Sequence, residues 1–409
     1  MGMLFVKRFA TALALILAIT ASAPSLAIST FARQTGMACA ACHFQNYPAL
    51  NQLGRSFKAN GYALSVLADR AASQSISISD ALNAGVITKL RYQQSNGPKV
   101  AGTNSTNDGE LQFPDELLLN MVARISNNIG AMVELDLNNA SPLVSGLKLP
   151  FIYNVKGAAV GAIPFSTSSQ GAAYGFELMN TGAVRFSRVA EDRSAVSAQQ
   201  YIGTATKAQG IAAVASNAGY FGNFSKWSPR SFRDNSGTPT ANYLRLAMTP
   251  QVGVWDLGLG VQSWSGHATE PSQLTQVNTK AWAIDAQAQA TIGKMPLGIY
   301  LSHANAEGTS AGSFTPNLFN SKPNDRTATA IVGQLGVQPG KSTVLLSYRH
   351  GDNGNAIDST DNAWMIGGTY SLVQNVQLQL NYTEYSGSAY NGVPTNGDHM
   401  MTLMLYTAF

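Results

Sequence analysis

With only two cysteines in 409 residues, the chain has no disulfide framework to hold it together. Charge is also scarce: 12% of the residues are Asp, Glu, Lys or Arg, about half the share in ordinary globular proteins. Neither sign dominates. Of 26 Lys and Arg, Lys7 and Arg8 fall in an N-terminal leader, so 24 oppose 22 Asp and Glu and the net charge is about +2. That balance, with no basic cluster, excludes a nucleic-acid binder. After the leader no run approaches the roughly 20 apolar residues a membrane-crossing helix needs. Phosphate loops, catalytic triads and zinc-type cysteine clusters are absent too, so no acid-base or nucleophilic chemistry is expected.

Residues 1–27 read as a secretory leader. Lys7 and Arg8 are its charged start, Phe9 to Ala18 its apolar run and Ser25-Leu26-Ala27 its small-residue cleavage site, so the exported chain is expected to begin near Ile28.

Both cysteines lie just after it, in Cys39-Ala40-Ala41-Cys42-His43. C-x-x-C-H is the spacing of covalent c-type haem attachment. Two thiols separated by two residues can both form thioethers to the haem vinyl groups, which holds the adjacent histidine under the iron as its proximal ligand. A redox C-x-x-C would not require that histidine. One covalent haem c is expected, bound by Cys39, Cys42 and His43, with His43 as iron ligand and the group at which electron transfer occurs. Downstream, Pro48 suits the first turn of a helix carrying Leu50, Leu53 and Phe57 on one face and ending at Asn60-Gly61. That stripe, with Phe44 and Tyr47, would cover a haem face. Arg33, Arg55 and Lys58 are the obvious counter-charges for its propionates. Some forty residues cannot bury a haem unaided, so a further wall must come from the rest of the chain.

The remainder alternates with period two. In 376–385, VQLQLNYTEY, Val376, Leu378, Leu380 and Tyr382 share one face and Gln377, Gln379, Asn381 and Thr383 the other; 281–292, AWAIDAQAQATI, behaves likewise. Apolar-out and polar-in alternation over about ten residues is the strand signal of an outer-membrane barrel. Sixteen such segments run from 86–95 to 398–409, among them 172–179, 183–189, 199–208 and 211–221. Short turns between them alternate with long loops near 96–115, 139–171, 222–241, 265–280, 306–326 and 386–397. The fold expected is thus an all-β transmembrane barrel of about 16 antiparallel strands, residues 86–409. A haem segment, 28–70, would plug or cap its lumen through a linker, 71–85. Short turns face the periplasm and long loops the outside, which places the chain in the outer membrane of a Gram-negative bacterium, in contact with lipid.

FARQTGMACAACHFQNYPALNQLGRSFKANGY, residues 31–62, closely resembles the N-terminal segment of fused cytochrome-porins of iron-oxidising bacteria, monohaem outer-membrane c-type cytochromes followed by a porin-like barrel. The resemblance implies oxidation of extracellular Fe(II), with electrons passed through the haem to a periplasmic electron carrier. Leu53 stands before Gly54 where many relatives have Phe.

Four further histidines, His267, His303, His350 and His399, fall at or near the outward ends of strands. With Asp352, Asp358, Asp361 and Asp398 they offer weak, exchangeable ligands suited to Fe(II). Met37 and Met132 are candidates for a distal haem ligand. Inward Arg124, Arg245, Asp256 and Asp285 are expected to line or brace the lumen.

Overall fold

The computed structural model describes residues 29–45, 47–62, 83–97, 109–138, 143–184, 197–232, 238–269, 275–391 and 397–409. The leader, residues 63–70 and most of the linker lie outside them. The first strand begins at Asn83, within the stretch expected to be linker.

Among the described residues there are twenty strands, numbered in chain order. They are β1 (Asn83–Ser95), β2 (Glu110–Arg124), β3 (Gly130–Asp136), β4 (Val144–Lys148), β5 (Phe151–Val155), β6 (Ala158–Thr167), β7 (Ala208–Ser216), β8 (Tyr220–Ser228), β9 (Ala241–Met248) and β10 (Gln251–Val252). Then follow β11 (Trp255–Ser265), β12 (His267–Thr269), β13 (Gln276–Asn278), β14 (Ala281–Ile292), β15 (Met295–Ala306), β16 (Arg326–Gln338), β17 (Ser342–Asp352), β18 (Asn362–Val373), β19 (Val376–Ser386) and β20 (His399–Ala408).

Eighteen of them form one antiparallel sheet, and β12 and β13 make a separate hairpin. The sheet closes on itself, since β1 pairs with β2 on one side and with β20 on the other. Two staves are interrupted. Between β4 and β5, Leu149 still donates to Pro164 and Pro150 still accepts from Gly130; between β9 and β10, Pro250 accepts from Leu257. Eighteen strands therefore make sixteen staves, the expected number.

Side-chain parity makes this a membrane barrel. Along β19, Gln377, Gln379, Asn381 and Thr383 point inward and are buried, while Val376, Leu378 and Leu380 face out. Along β14, Asp285, Gln287 and Gln289 are buried inside, and outward Ile284 is 48% exposed. Leu259 and Leu346, both 54% exposed, continue the apolar outer face on β11 and β17. In water such a surface would be costly; in lipid it is what a closed, edgeless barrel requires. The chain is an outer-membrane β-barrel.

The expected strand positions fail between residues 139 and 228, where two errors cancel in the total; the stretch read as a long loop, 222–241, opens with the greater part of β8. The stretch read as a long loop, 139–171, contains β4, β5 and β6. A tight turn at Lys156-Gly157, both at positive φ, joins the last two. A further turn divides 211–221: Asn217 Oδ1 accepts from the N–H groups of Gly219 and Tyr220, which ends β7 and starts β8. Conversely, the described residues of 172–179, 183–189 and 199–207 are not staves. In their described part they hold a 3₁₀ turn at Ala172–Tyr174 and a helix at Ala198–Tyr201. This stretch folds into the lumen, where Ala172, Phe176, Leu178, Met179 and Tyr201 are buried. A loop enclosed by a barrel has the apolar composition of a strand without its pairing.

Candidate functional site

The N-terminal segment builds one wall of the site. Helix α1 (Ser29–Thr35) is followed by a 3₁₀ turn at Cys39–Ala41, in which Cys42 and His43 both donate to the Cys39 carbonyl, 3.1 and 2.9 Å. The chain then doubles back, with His43 and Leu50 bridged antiparallel, and enters helix α2 (Gln52–Ala59). The helix starts later than Pro48 suggests. Its cap is Asn51, whose side chain accepts from Gly54 N–H at 3.0 Å. Leu50 thus lies before the helix, and Leu53 is 37% exposed and covers nothing, while Phe57 is buried. Gly54 is required by close approach, since a Cβ there would stand 2.2 Å from the Cys42 carbonyl oxygen. Phe31 stacks on Tyr62 (5.3 Å between centroids) and meets Phe57 edge-on (5.1 Å), tying α1 to α2.

The opposite wall comes from the barrel. Met132 and Glu134 of β3, Lys148 of β4 and Tyr174, Glu177, Met179 and Asn180 of the inward loop face Cys39, Cys42 and His43 across a cavity of about 210 Å³. Ordinary protein interiors hold few voids larger than a water molecule. Tyr174 and Gln170 both donate to Glu134 Oε2, and Lys148 Nζ lies 3.8 Å from the centroid of the Tyr174 ring.

The segment is fastened at the short-turn end of the barrel. Arg55 binds both carboxylate oxygens of Asp256 on β11 (2.6 and 2.8 Å). Gln45 donates to the Pro296 and Gln334 carbonyls (3.0 and 3.1 Å), Gln251 donates to Gln52 (2.7 Å), and Tyr47 stacks on Tyr406. Arg55 is therefore a strut to the wall and does not face the cavity, contrary to its expected role as a propionate partner. Lys58 does line the cavity, with burial pushing its pKa down and Glu177 and Glu134 pulling it back up. The side chain of Arg33 lies outside the described residues.

These residues fit a covalent haem on three counts. Cys39 and Cys42 are both free and both line the cavity. Burial pushes the Cys39 thiol up to about 11 and raises Cys42 as well, the reverse of the lowering that activates a redox thiol. His43 Nδ1 lies 3.2 Å from the Ala49 carbonyl, which leaves Nε2 available to a metal, and burial pushes its pKa down to about 4, so the ring is neutral at neutral pH. Met37 and Met132, the expected distal candidates, line the same cavity; so does Met179, which the strand reading of 172–179 had placed in the wall.

The bracing residues behave as expected. Arg124 donates to Asn127 Oδ1 at 2.8 Å near its turn. Arg245, fully buried on β9, holds Asp285 of β14 at 2.5 and 2.9 Å and Glu177 of the inward loop at 2.9 Å. Thr181 also donates to Asp285, at 2.6 Å. Glu177 lies in a stretch that reads as a strand, and its pairing with Arg245 spans 68 residues, so local sequence could not reveal it.

Among the described residues no three His, Cys, Asp or Glu side chains group as metal ligands. His303, His350 and His399 sit on the outer face of their staves, bonded to Thr329, Asn362 and Asp398 respectively. Trp282 lies 5.3 Å from His303 and Tyr382 6.1 Å from His399, ring to ring, so these two histidines pack against outward aromatic side chains. Asp361 is engaged by Arg349, Tyr201 and Tyr390. His267 lies on the β12–β13 hairpin.

No family model and no curated protein sequence matches the chain. Among solved structures it is similar to OmpT, an outer-membrane protein of Vibrio cholerae (11% identity over 82% of this chain and 100% of that one, TM-score 0.46). A porin structure refined at 1.8 Å resolution (11%, 80% and 100%, TM-score 0.47) and the outer-membrane protein opdK of Pseudomonas aeruginosa (13%, 81% and 99%, TM-score 0.44) are similar to the same degree. The likeness concerns barrel shape alone.

Proposed function

We propose that this outer-membrane barrel is an electron conduit. Cys39 and Cys42 would hold one c-type haem and His43 would ligate its iron; so loaded, the chain would pass electrons from an extracellular donor, with Fe(II) the leading one, to a periplasmic electron carrier. The activity would be that of an iron(II):cytochrome c oxidoreductase. The observation that carries this reading is the shared cavity: both thiols and the His43 ring open onto one space walled on its other side by β3, β4 and the inward loop. A haem segment too small to bury its cofactor is thereby given the missing wall. When bound, the haem supplies a reversible one-electron couple. The chain's own residues hold it, keep His43 neutral and close the space around it with Phe31, Phe57 and Tyr62.

Fe(II) as donor is supported by the resemblance of residues 31–62, and by a simple constraint: the ion is charged and cannot cross hydrocarbon. Moving only the electron inward leaves the oxidised metal, which precipitates near neutral pH, outside the cell. Mixing the oxidised, haem-loaded protein with Fe(II) under anaerobic conditions should produce the ferrous haem spectrum. A haem that stays oxidised while the purified protein conducts ions favours the other reading, a transport porin with a haem-bearing plug or sensor.

A further inference from the structure

The proximal histidine is held in place from outside its own segment. We infer that Asn180, on the inward loop of the barrel, is a positioning residue for His43 and through it a determinant of the haem's reduction potential. This inference rests on the haem reading above.

The chain of contacts is short. His43 Nδ1 lies 3.2 Å from the Ala49 carbonyl oxygen, which makes Nδ1 the protonated donor and Nε2 the free nitrogen. The next residue, Leu50, is held at both its backbone groups by one side chain, and its N–H belongs to the same peptide group as the Ala49 carbonyl. Leu50 N–H donates to Asn180 Oδ1 at 2.7 Å, and Asn180 Nδ2 donates to the Leu50 carbonyl at 3.0 Å. An amide that both accepts from and donates to a single residue fixes that residue as a neighbouring strand would. Asn180 is itself buried and anchored, its backbone N–H donating to Gln287 Oε1 of β14 at 2.8 Å. On either side of it Glu177 and Thr181 are tied to Arg245 and Asp285. On the segment's far side, Asn51 N–H donates to the Cys42 carbonyl at 3.0 Å, so residues 49–51 are stapled between the motif and the barrel.

A carbonyl accepting from the non-ligating nitrogen makes the imidazole a stronger electron donor to iron, which favours the ferric state. If Asn180 sets the position of that carbonyl, its loss weakens the bond and raises the potential. Altering such an outer partner characteristically changes a metal site tenfold or more. In the full-length, haem-loaded protein, Asn180→Ala should therefore shift the reduction equilibrium about tenfold toward ferrous haem, an upward change of about 59 mV for a one-electron couple. Gln287→Ala, which frees the Asn180 backbone but keeps its amide, should shift it less and in the same direction.

Optical redox titration measures both variants, with covalent haem content determined alongside. An unchanged potential in Asn180→Ala at full haem content overturns the inference and leaves the haem reading standing. Should that variant fail to fold, an unchanged potential in Gln287→Ala overturns it equally. A wild-type protein without covalent haem removes both.

Discussion

Serine at both Cys39 and Cys42 is expected to give a protein that assembles as a barrel in the outer membrane and contains no covalent haem. The two thiols line the cavity, and the closure of the barrel, β1 on β20, involves neither. Haem content from the alkaline pyridine spectrum should fall to background, and reduction by Fe(II) should vanish with it. Heat-modifiable mobility on gels, the sign of an intact barrel, should persist. His43→Ala is the milder neighbour. The thioethers can still form, but the iron loses its proximal ligand, so the haem should remain attached with an altered spectrum. A double serine variant with undiminished haem would mean that the group is bound elsewhere.

The second large effect is expected at Arg245. This guanidinium is fully buried between Asp285 of the wall and Glu177 of the inward loop. Arg245→Met leaves two carboxylates facing each other with no cation, and breaking one side of a buried ionic group costs about 3–5 kcal/mol. Much of that cost arises from the stranded charges. The triple variant Arg245→Met, Glu177→Gln, Asp285→Asn should consequently recover most of the loss. Urea unfolding of the barrel in detergent gives the magnitudes. Limited proteolysis should find the inward loop cut in Arg245→Met and protected in the triple variant. If the single and triple variants unfold alike, the network is not what holds the loop.

How much could be read from the sequence depended on what surrounds each segment. Ala281–Ile292 and Val376–Ser386 face lipid on one side and polar lumen on the other, so their alternation is clean and their bounds lie within a residue of expectation. Residues 171–182 of the inward loop are buried, and Ala172, Phe176 and Leu178 there imitate the apolar face of a stave. Pro150 and Pro164 lie in the stretch read as a long loop. Proline within a run argues against a strand, yet Pro164 is paired opposite Ile211 in β6, and Pro150 falls in the break between β4 and β5.

The site divides in the same way. Cys39, Cys42 and His43, which line the cavity, stand out in the sequence because the chemistry proposed for them requires contiguous spacing. Glu134, Lys148, Glu177 and Asn180 were not, because each reaches the cavity through a pairing distant in sequence, as in the 130-residue separation between Leu50 and Asn180. Arg55 shows the limit of charge counting: a cation near a haem motif suggests a propionate partner, whereas its partner is Asp256, 201 residues away.

The most direct test of the conduit uses vesicles. Full-length protein is inserted into liposomes that enclose oxidised cytochrome c, and Fe(II) is supplied outside as a bulky chelate. The account predicts that wild-type protein reduces the trapped cytochrome, and that the Cys39→Ser, Cys42→Ser double variant does so no faster than vesicles without protein. Equal rates with wild-type and double variant would contradict it, for the barrel would then be passing the reductant and not the electron.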